Sequence, residues 1–169
     1  MGYVLDANVF IEAYQRYYAF DLVPGFWDLL INLAKQGYIL SIDRVKRELE
    51  QRQDALAQWA QNEFEPYFMT TNDGGVLQEY GHLIQWAVKH NNRFRQSAIN
   101  EFAQDNKADA WVIAYAKAYG HIVVTEEKYD PNARKKIPIP VACKDFNVPY
   151  TNTFDMLRSL RIRFTIDKQ

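Results

Sequence analysis

Cysteine, histidine and net charge are all scarce in this sequence. The single cysteine, Cys143, excludes an internal disulfide framework and a zinc site built from several cysteines. A single cysteine and no disulfide are typical of proteins in a reducing compartment, so we expect a cytoplasmic protein. The net charge of −1 gives no overall attraction to nucleic acid, and such a partner would have to be held by a local basic patch. The three histidines, His82, His90 and His121, are not spaced as zinc ligands.

Long apolar runs are also absent. No stretch approaches about 18 consecutive apolar residues, so no transmembrane helix and no membrane partner are expected. The first residues do not combine a basic region with an apolar run, so no signal peptide is expected. Apolar residues still make up 48% of the 169 residues, which is enough for a core. Because the sequence shows no repeat and no linker, residues 1–169 are predicted to form a single domain.

The apolar patterns predict short strands that alternate with helices. The predicted strands are Tyr3–Leu5, Tyr38–Ile42, Tyr67–Met69, His121–Thr125 and Val141–Cys143. The predicted helices are Val9 to about Tyr18 with Asn8 as a candidate N-cap, Phe26–Ala34, Arg44 to about Arg52, Asp54–Glu65, Gly74 to about His90, Ser97–Phe102, Asp109–Tyr119 and Asp155–Leu160. This alternation predicts an α/β fold with a parallel sheet between helices. The helical stretch from 54 to 119 is too long for one crossover and predicts a helical arm.

Carboxylates follow two of the predicted strands. Asp6 comes directly after the first strand, and the carboxyl ends of strands are where open α/β sheets bind ligands. Asp6 has no basic neighbour in sequence, so a divalent cation is a natural counter-charge, although a simple helix N-cap would also explain it. Glu126 and Glu127 follow Thr125 at the end of another strand. Alternation along a strand sends these two side chains to different sides, so only one of them is expected to face Asp6.

Two further carboxylates lie on predicted helices. Glu48 borders the core face of its helix, with Glu50 as its competitor, and a solvated helix glutamate is the ordinary alternative. Asp109 opens an alanine-rich apolar helix, where interaction with the helix dipole is the ordinary alternative. If the preceding turn is helical, Asp105 shares a face with Asp109. Carboxylates that meet in one place repel one another unless a cation is bound, and oxygen ligands suit Mg²⁺. Convergence of these acids would therefore indicate Mg²⁺ or Mn²⁺ and phosphoryl chemistry.

Taken together, four acidic motifs resemble those of PIN-domain nucleases. They read Val4-Leu5-Asp6-Ala7-Asn8, Val45-Lys46-Arg47-Glu48-Leu49, Ala108-Asp109-Ala110-Trp111-Val112-Ile113-Ala114 and Val123-Val124-Thr125-Glu126-Glu127-Lys128, and they extend over residues 3 to about 130. The resemblance implies a PIN-like sheet of order 3-2-1-4-5 and a metal-dependent ribonuclease, often a toxin with a cognate antitoxin. The sequence departs from the family in two ways. Glu127 stands where the last acid is usually Asp, and the helical stretch Asp54–His90 is longer than in compact toxins of the VapC type.

The expected function is a metal-dependent endoribonuclease whose principal Mg²⁺ or Mn²⁺ ion is held by Asp6, Glu48 and Asp109. Glu127 would contribute to a weaker second site or orient the attacking water, and Asn8 would hydrogen-bond Asp6 or that water. The expected partners are an RNA substrate and an antitoxin, and a homodimer is left open. Three consecutive cations follow the fourth motif, and they either reach RNA or form a solvated loop: Arg134, Lys135 and Lys136. The rival interpretation is a PIN-like module that no longer cuts and acts through protein or RNA contacts.

Overall fold

The computed structural model describes residues 1–167. Its strands are β1 (Tyr3–Leu5), β2 (Ile39–Ile42), β3 (Phe68–Met69), β4 (Ile122–Val124) and β5 (Tyr150–Thr151). Its α-helices are α1 (Ala7–Glu12), α2 (Pro24–Lys35), α3 (Asp43–Glu50), α4 (Ala55–Asn62), α5 (Gly74–Lys89), α6 (Gln96–Phe102), α7 (Asp109–Tyr119), α8 (Ile139–Asp145) and α9 (Thr153–Ser159). A π-helical segment, Ala13–Tyr17, continues α1, and a 3₁₀ turn, Glu65–Tyr67, precedes β3.

The strands form one parallel sheet with the order β3-β2-β1-β4-β5. This confirms the predicted PIN-like fold class and the predicted strand order. β1 lies at the centre, where Tyr3 is opposite Ile39 of β2 on one side and Ile122 of β4 on the other. Because β1 and β4 are neighbours and parallel, their carboxyl ends meet at the same edge of the sheet. Residues that follow these two strands are thereby brought together.

Helix α7 packs against the centre of the sheet and forms much of the core. Ala110 through Ala116 are all buried, so this helix is apolar around most of its circumference rather than along one stripe. Helix α5 packs on its far side, where the Tyr80 ring stacks on Trp111 with centroids 3.7 Å apart. Truncating a fully buried aliphatic side chain such as Ile113 to alanine would cost about 2–5 kcal/mol. The core thus fixes the position of Asp109, the first residue of α7.

The predicted strand at Val141–Cys143 is wrong. These residues lie inside α8, and the strand that pairs with β4 is Tyr150–Thr151. All three side chains are buried in α8, so periodicity could not separate a buried helix from a buried strand. Pro140 favours the helix, because it lies in the first turn. Backbone N–H groups there have no intrahelical acceptor, so proline loses no hydrogen bond by lacking one.

The first helix also begins differently from the prediction. Asn8 is not its N-cap; Asp6 is, with an extended backbone and a carboxylate that accepts a hydrogen bond from the Ala7 N–H at 2.8 Å. The chain turns into α1 immediately after β1, so Asn8 is already the second helical residue. The capping role and the strand-end position therefore belong to the same side chain.

Within residues 1–167, no helix is both long enough and apolar enough to cross a membrane.

Candidate active site

The carboxyl ends of β1 and β4 place Asp6 beside Thr125. The Asp6 N–H donates to the Val124 carbonyl at 3.0 Å, so the strand pairing continues one residue past β1. The Asp6 carboxylate is 1% exposed, and its Oδ2 lies 3.3 Å from the donating Thr125 hydroxyl. That hydroxyl accepts the Glu127 N–H at 3.2 Å, so Thr125 connects the two acidic segments. Thr125 is a positioning residue, and its place at the end of an apolar strand is the signal that marks it in the sequence.

Glu126 and Glu127 point in different directions, as strand alternation predicts. Glu126 accepts hydrogen bonds from the backbone N–H and the hydroxyl of Thr153, which ties it to the start of α9. Glu127 accepts the Ile139 N–H at 2.8 Å and the Lys136 ammonium at 2.5 Å. Of the two glutamates, Glu127 is the one that raises the pKa of Asp6. The structure therefore brings Glu127, and not Glu126, to the acidic site.

The two acids that lie on helices, Glu48 and Asp109, approach Asp6 from two different helices. Asp109 opens α7, and Glu48 lies half-buried on α3 beside the buried Val45 and Leu49. Asp105 does not join them, because the residues before α7 are not helical and its exposed side chain pairs with Arg44 at 2.9 Å. The conditional i, i+4 pairing of Asp105 with Asp109 is therefore absent.

Burial and repulsion from neighbouring carboxylates raise the pKa values of Asp6 and Asp109. Burial, followed by the charges of Asp109, Glu127 and Glu48, raises the pKa of Asp6 well above its usual range. Burial and the charge of Glu127 likewise raise the pKa of Asp109 to about 7, although Lys136 opposes the shift. The pKa of Glu48 is raised by burial. Perturbed carboxylates that face one another in this way are typical of functional sites.

Lys136 supplies the only ammonium that contacts two of these acids within the part of the chain that the structure describes. Its Nζ lies 2.5 Å from Glu127 Oε1 and 3.9 Å from Asp109 Oδ2. Burial alone would lower the Lys136 pKa, but the hydrogen bond to Glu127 and the charge of Asp109 raise it instead. Asp6 itself has no Lys, Arg or His partner within 4 Å among residues 1–167. One ammonium therefore balances only part of the negative charge.

The donor set suits a hard divalent cation in its chemistry, because every candidate ligand is a carboxylate oxygen. In the present arrangement, however, no three His, Cys, Asp or Glu side chains of residues 1–167 stand close enough to hold a metal ion together. Asp6 and Asp109 are fixed at the starts of helices, whereas Glu48 and Glu127 are long side chains that rotamer changes can move. A cation held by Asp6, Glu48 and Asp109 would thus require Glu48 to move, and a second ion at Glu127 would require that side chain to leave Lys136.

The remaining predicted site residues lie nearby with less defined roles. Asn8 is half-buried in α1, and no hydrogen bond joins its side chain to Asp6 in residues 1–167. Arg134 and Lys135 are exposed on the loop between β4 and α8, beside Lys136. The structure adds two cations, Arg95 and Lys128, that line the same cavity as this loop. Lys128 adjoins the fourth motif in sequence, whereas nothing in the sequence pattern relates Arg95 to it.

Comparisons with known proteins relate the chain to one family and one fold. A family model described as a domain of unknown function (DUF4411) matches residues 3–164. No curated protein matches the sequence. Among solved structures, a chain of VapBC2 from Rickettsia felis, bound to a promoter DNA fragment, is 16% identical with a TM-score of 0.52, over 90% of this chain and 98% of that one.

Two further structures show the same likeness. A chain of FitAcB from Neisseria gonorrhoeae is 17% identical with a TM-score of 0.54, over 90% of this chain and 98% of that one. A chain of FitAB bound to an IR36 DNA fragment is 16% identical with a TM-score of 0.53, over 89% of this chain and 94% of that one. At such identities the likeness establishes the fold and not the chemistry.

Proposed function

The chain belongs to the family described as a domain of unknown function (DUF4411), and from that premise we propose that it is a metal-dependent endoribonuclease of the PIN type. The observation that carries the proposal is Asp6. It is a buried carboxylate without an ion-pair partner in residues 1–167, and three further carboxylates raise its pKa. Leaving a buried charge unpaired is costly, so such a group persists where a cation is bound in the working protein.

In this proposal Asp6, Glu48 and Asp109 hold Mg²⁺ or Mn²⁺. When bound, the ion supplies a nucleophilic water at neutral pH and offsets charge on the phosphate. Thr125 keeps the Asp6 carboxylate oriented through its hydroxyl. Asn8 is proposed to orient Asp6 or the water, and Glu127 to act in a weaker second site or on that water.

The position of the Lys136 ammonium distinguishes this proposal from the rival, a PIN-like module that does not cut RNA. Its ammonium now occupies the space between Glu127 and Asp109, which is the observation that favours the rival. In the nuclease proposal, the ammonium turns from these acids to the RNA phosphate, together with Arg134 and Lys135. Lys136 pairs with only two of the four carboxylates, and Asp6 has no cationic partner in residues 1–167. The negative charge that is left unbalanced favours the nuclease.

We further propose that the protein is a toxin that an antitoxin partner restrains. The resemblance of the four motifs to VapC-type toxins supports this role, as does the fold shared with chains of VapBC2 and FitAB. RNA as substrate follows from the same resemblance. A homodimer stays a prediction.

The decisive experiment is an RNA cleavage assay with the parent protein, Asp6→Asn and Asp28→Asn, in Mg²⁺, in Mn²⁺ and in EDTA. Asp28 is exposed on α2, so it controls for the loss of one carboxylate elsewhere. The parent and Asp28→Asn are expected to cut labelled RNA only with a divalent ion, and Asp6→Asn to leave it intact while keeping the parent's circular dichroism. Cleavage by Asp6→Asn at the parent's rate would refute the assignment. A parent that binds RNA without cutting it would establish the rival.

A further inference from the structure

A basic cavity of about 630 Å³ adjoins the acidic site. Five cationic side chains line it: Arg95, Lys128, Arg134, Lys135 and Lys136. Two carboxylates, Glu127 and Asp130, also contribute, so positive charge predominates in a protein whose net charge is −1. Because Glu127 and Lys136 belong both to this cavity and to the acidic site, the two are continuous. We call it the basic cavity below.

Two separate segments build the basic cavity. Arg95 is the N-cap residue of α6, whereas the other four cations come from the loop between β4 and α8. The Arg95 N–H donates to the Arg134 carbonyl at 2.8 Å, which fixes the loop against the start of α6. The Arg95 side chain takes no part in capping the helix. It is therefore free for another use, while its backbone holds the wall of the cavity in place.

Within residues 1–167, four of the five cations have no carboxylate partner. Among residues 1–167, no carboxylate lies within 4 Å of the charged groups of Arg95, Lys128, Arg134 or Lys135. Only Lys136 is paired, with Glu127 and Asp109. Cations gathered at one concave surface repel one another and focus a positive potential there, which an anionic ligand would relieve. The arrangement thus favours an anion at the mouth of the acidic site.

We propose that the basic cavity binds a phosphodiester group of the RNA strand next to the one that is cut, with Arg95 and Lys128 as its contacts. This inference rests on the proposed function, since it places the strand relative to the acidic site. A guanidinium can donate two parallel hydrogen bonds to a phosphate, and an ammonium adds a mobile point charge. The volume of about 630 Å³ is open to solvent and exceeds what a phosphate alone would fill, so it leaves room for a nucleotide unit.

The test measures binding of a labelled single-stranded oligoribonucleotide to Asp6→Asn protein, in which cleavage is blocked, across a range of salt concentrations. Arg95→Gln and Lys128→Gln are compared with Arg163→Gln and Lys35→Gln, which remove the same charges from exposed positions outside the basic cavity. Each lost phosphate contact is expected to reduce the slope of log K against log salt by about 0.7. Affinity at low salt should fall about fivefold, equally for purine and pyrimidine oligomers, because phosphates carry no sequence information.

Matched controls give the opposing outcomes. If Arg163→Gln and Lys35→Gln reduce the slope as much as Arg95→Gln and Lys128→Gln, the effect is overall charge, and the proposal is overturned. Competition with adenosine monophosphate separates the two sources of phosphate. The oligomer should outcompete the mononucleotide strongly. Equal affinity for both, lost together in the variants, would make the cavity a nucleotide pocket and would also overturn the proposal.

Failure of this inference can be told from failure of the proposed function. If the parent cuts RNA while Arg95→Gln and Lys128→Gln bind it with the parent's salt slope, the nuclease stands and the phosphate site does not. If the parent never cuts RNA but Arg95→Gln and Lys128→Gln still reduce the slope of log K against log salt, and the two control variants do not, the phosphate site stands without the nuclease. Thermal unfolding of each variant confirms that the charge changes leave the fold intact.

Discussion

At the scale of single residues, Asp109 links the acidic site to stability. Its pKa is raised from 3.8 to about 7, chiefly by burial and by Glu127. Between about pH 4 and pH 7 the folded protein therefore holds a proton that the unfolded chain has released. Under this condition the free energy of unfolding falls as pH rises, and it levels off above about pH 7.

Asp109→Asn should remove the part of this pH dependence that Asp109 contributes in the metal-free protein, whereas Asp6, whose pKa is also raised, should keep its own part. In EDTA, we expect the parent to be less stable at pH 8 than at pH 5 by on the order of a few kcal/mol, at about 1.4 kcal/mol per unit of pKa shift. The variant should be stabilised at pH 8, because one repelling charge is gone. Urea denaturation at both pH values measures this, with Asp28→Asn as the control. Equal losses in Asp109→Asn and the parent would show that Asp109 titrates normally.

Substitutions of Glu126 and Glu127 should affect RNA cleavage differently. Glu127→Gln is expected to weaken RNA cleavage while leaving binding of the principal metal nearly intact, because Asp6, Glu48 and Asp109 hold that ion in the proposed site. Glu126→Gln should leave cleavage almost unchanged, since a glutamine oxygen can still accept the Thr153 hydrogen bonds. Cleavage rate against Mg²⁺ concentration measures both effects. An essential Glu126 with a dispensable Glu127 would mean that the wrong glutamate has been assigned.

The sequence predicted these residues unevenly. Asp6 and the pair Glu126-Glu127 could be placed because each follows an apolar strand, but the choice of Glu127 over Glu126 came from the resemblance to PIN-domain nucleases. The N-cap could not be placed, because Asp6 and Asn8 are both good caps and only the sharpness of the turn after β1 decides between them. Lys136 shows the same limit. Its loop position was evident, but its contact with Glu127 and Asp109 depends on how residues 127 to 138 fold back.

At the scale of elements, helix α3 determines which of its acids faces the site. Glu48 neighbours the buried Val45 and Leu49, whereas the Glu50 carboxylate lies 3.8 Å from Lys46 on the same helix. Glu48→Gln should therefore abolish cleavage and weaken Mn²⁺ binding. Glu50→Gln should do neither and should lose at most about 0.5 kcal/mol of helix stability. Isothermal titration with Mn²⁺ and the cleavage assay check both variants. A reversed pattern would mean that α3 presents its other face.

Long elements were more legible than short ones. The helices α5 and α7 were predicted nearly to their ends, because each carries a sustained pattern. A strand was predicted inside α8 because its short buried run, residues 139–143, fits either structure. The real β5 has only two residues, and it is defined by its pairing with Val123 and Val124 rather than by its own composition. Such a strand exists only through tertiary contacts, which a local pattern does not contain.

At the scale of the whole molecule, a net charge near zero conceals two opposed regions. The acidic site collects carboxylates at the sheet edge, and the basic cavity collects cations beside it. This arrangement suits the proposed RNA substrate, whose phosphates would meet a metal ion at the acidic site and cationic side chains in the basic cavity. Composition alone indicated no overall attraction to nucleic acid and could not locate a basic patch, because a sum of charges carries no information about their positions.

Metal binding should stabilise the entire fold, because the proposed ligands come from the residue after β1 and from α3 and α7, which unfolding separates. A ligand that binds only the folded state at 100 times its Kd adds about 2.7 kcal/mol. For a chain of this length that corresponds to an increase in Tm of about 5–10 °C. Asp6→Asn should show no such increase, yet in EDTA it should melt above the parent, because a repelling charge is removed from the core. Thermal unfolding with and without Mn²⁺ measures both effects, and Asp28→Asn should follow the parent. If Mn²⁺ shifts the Tm of Asp6→Asn as much as that of the parent, the ion binds elsewhere and Asp6 is only a helix cap.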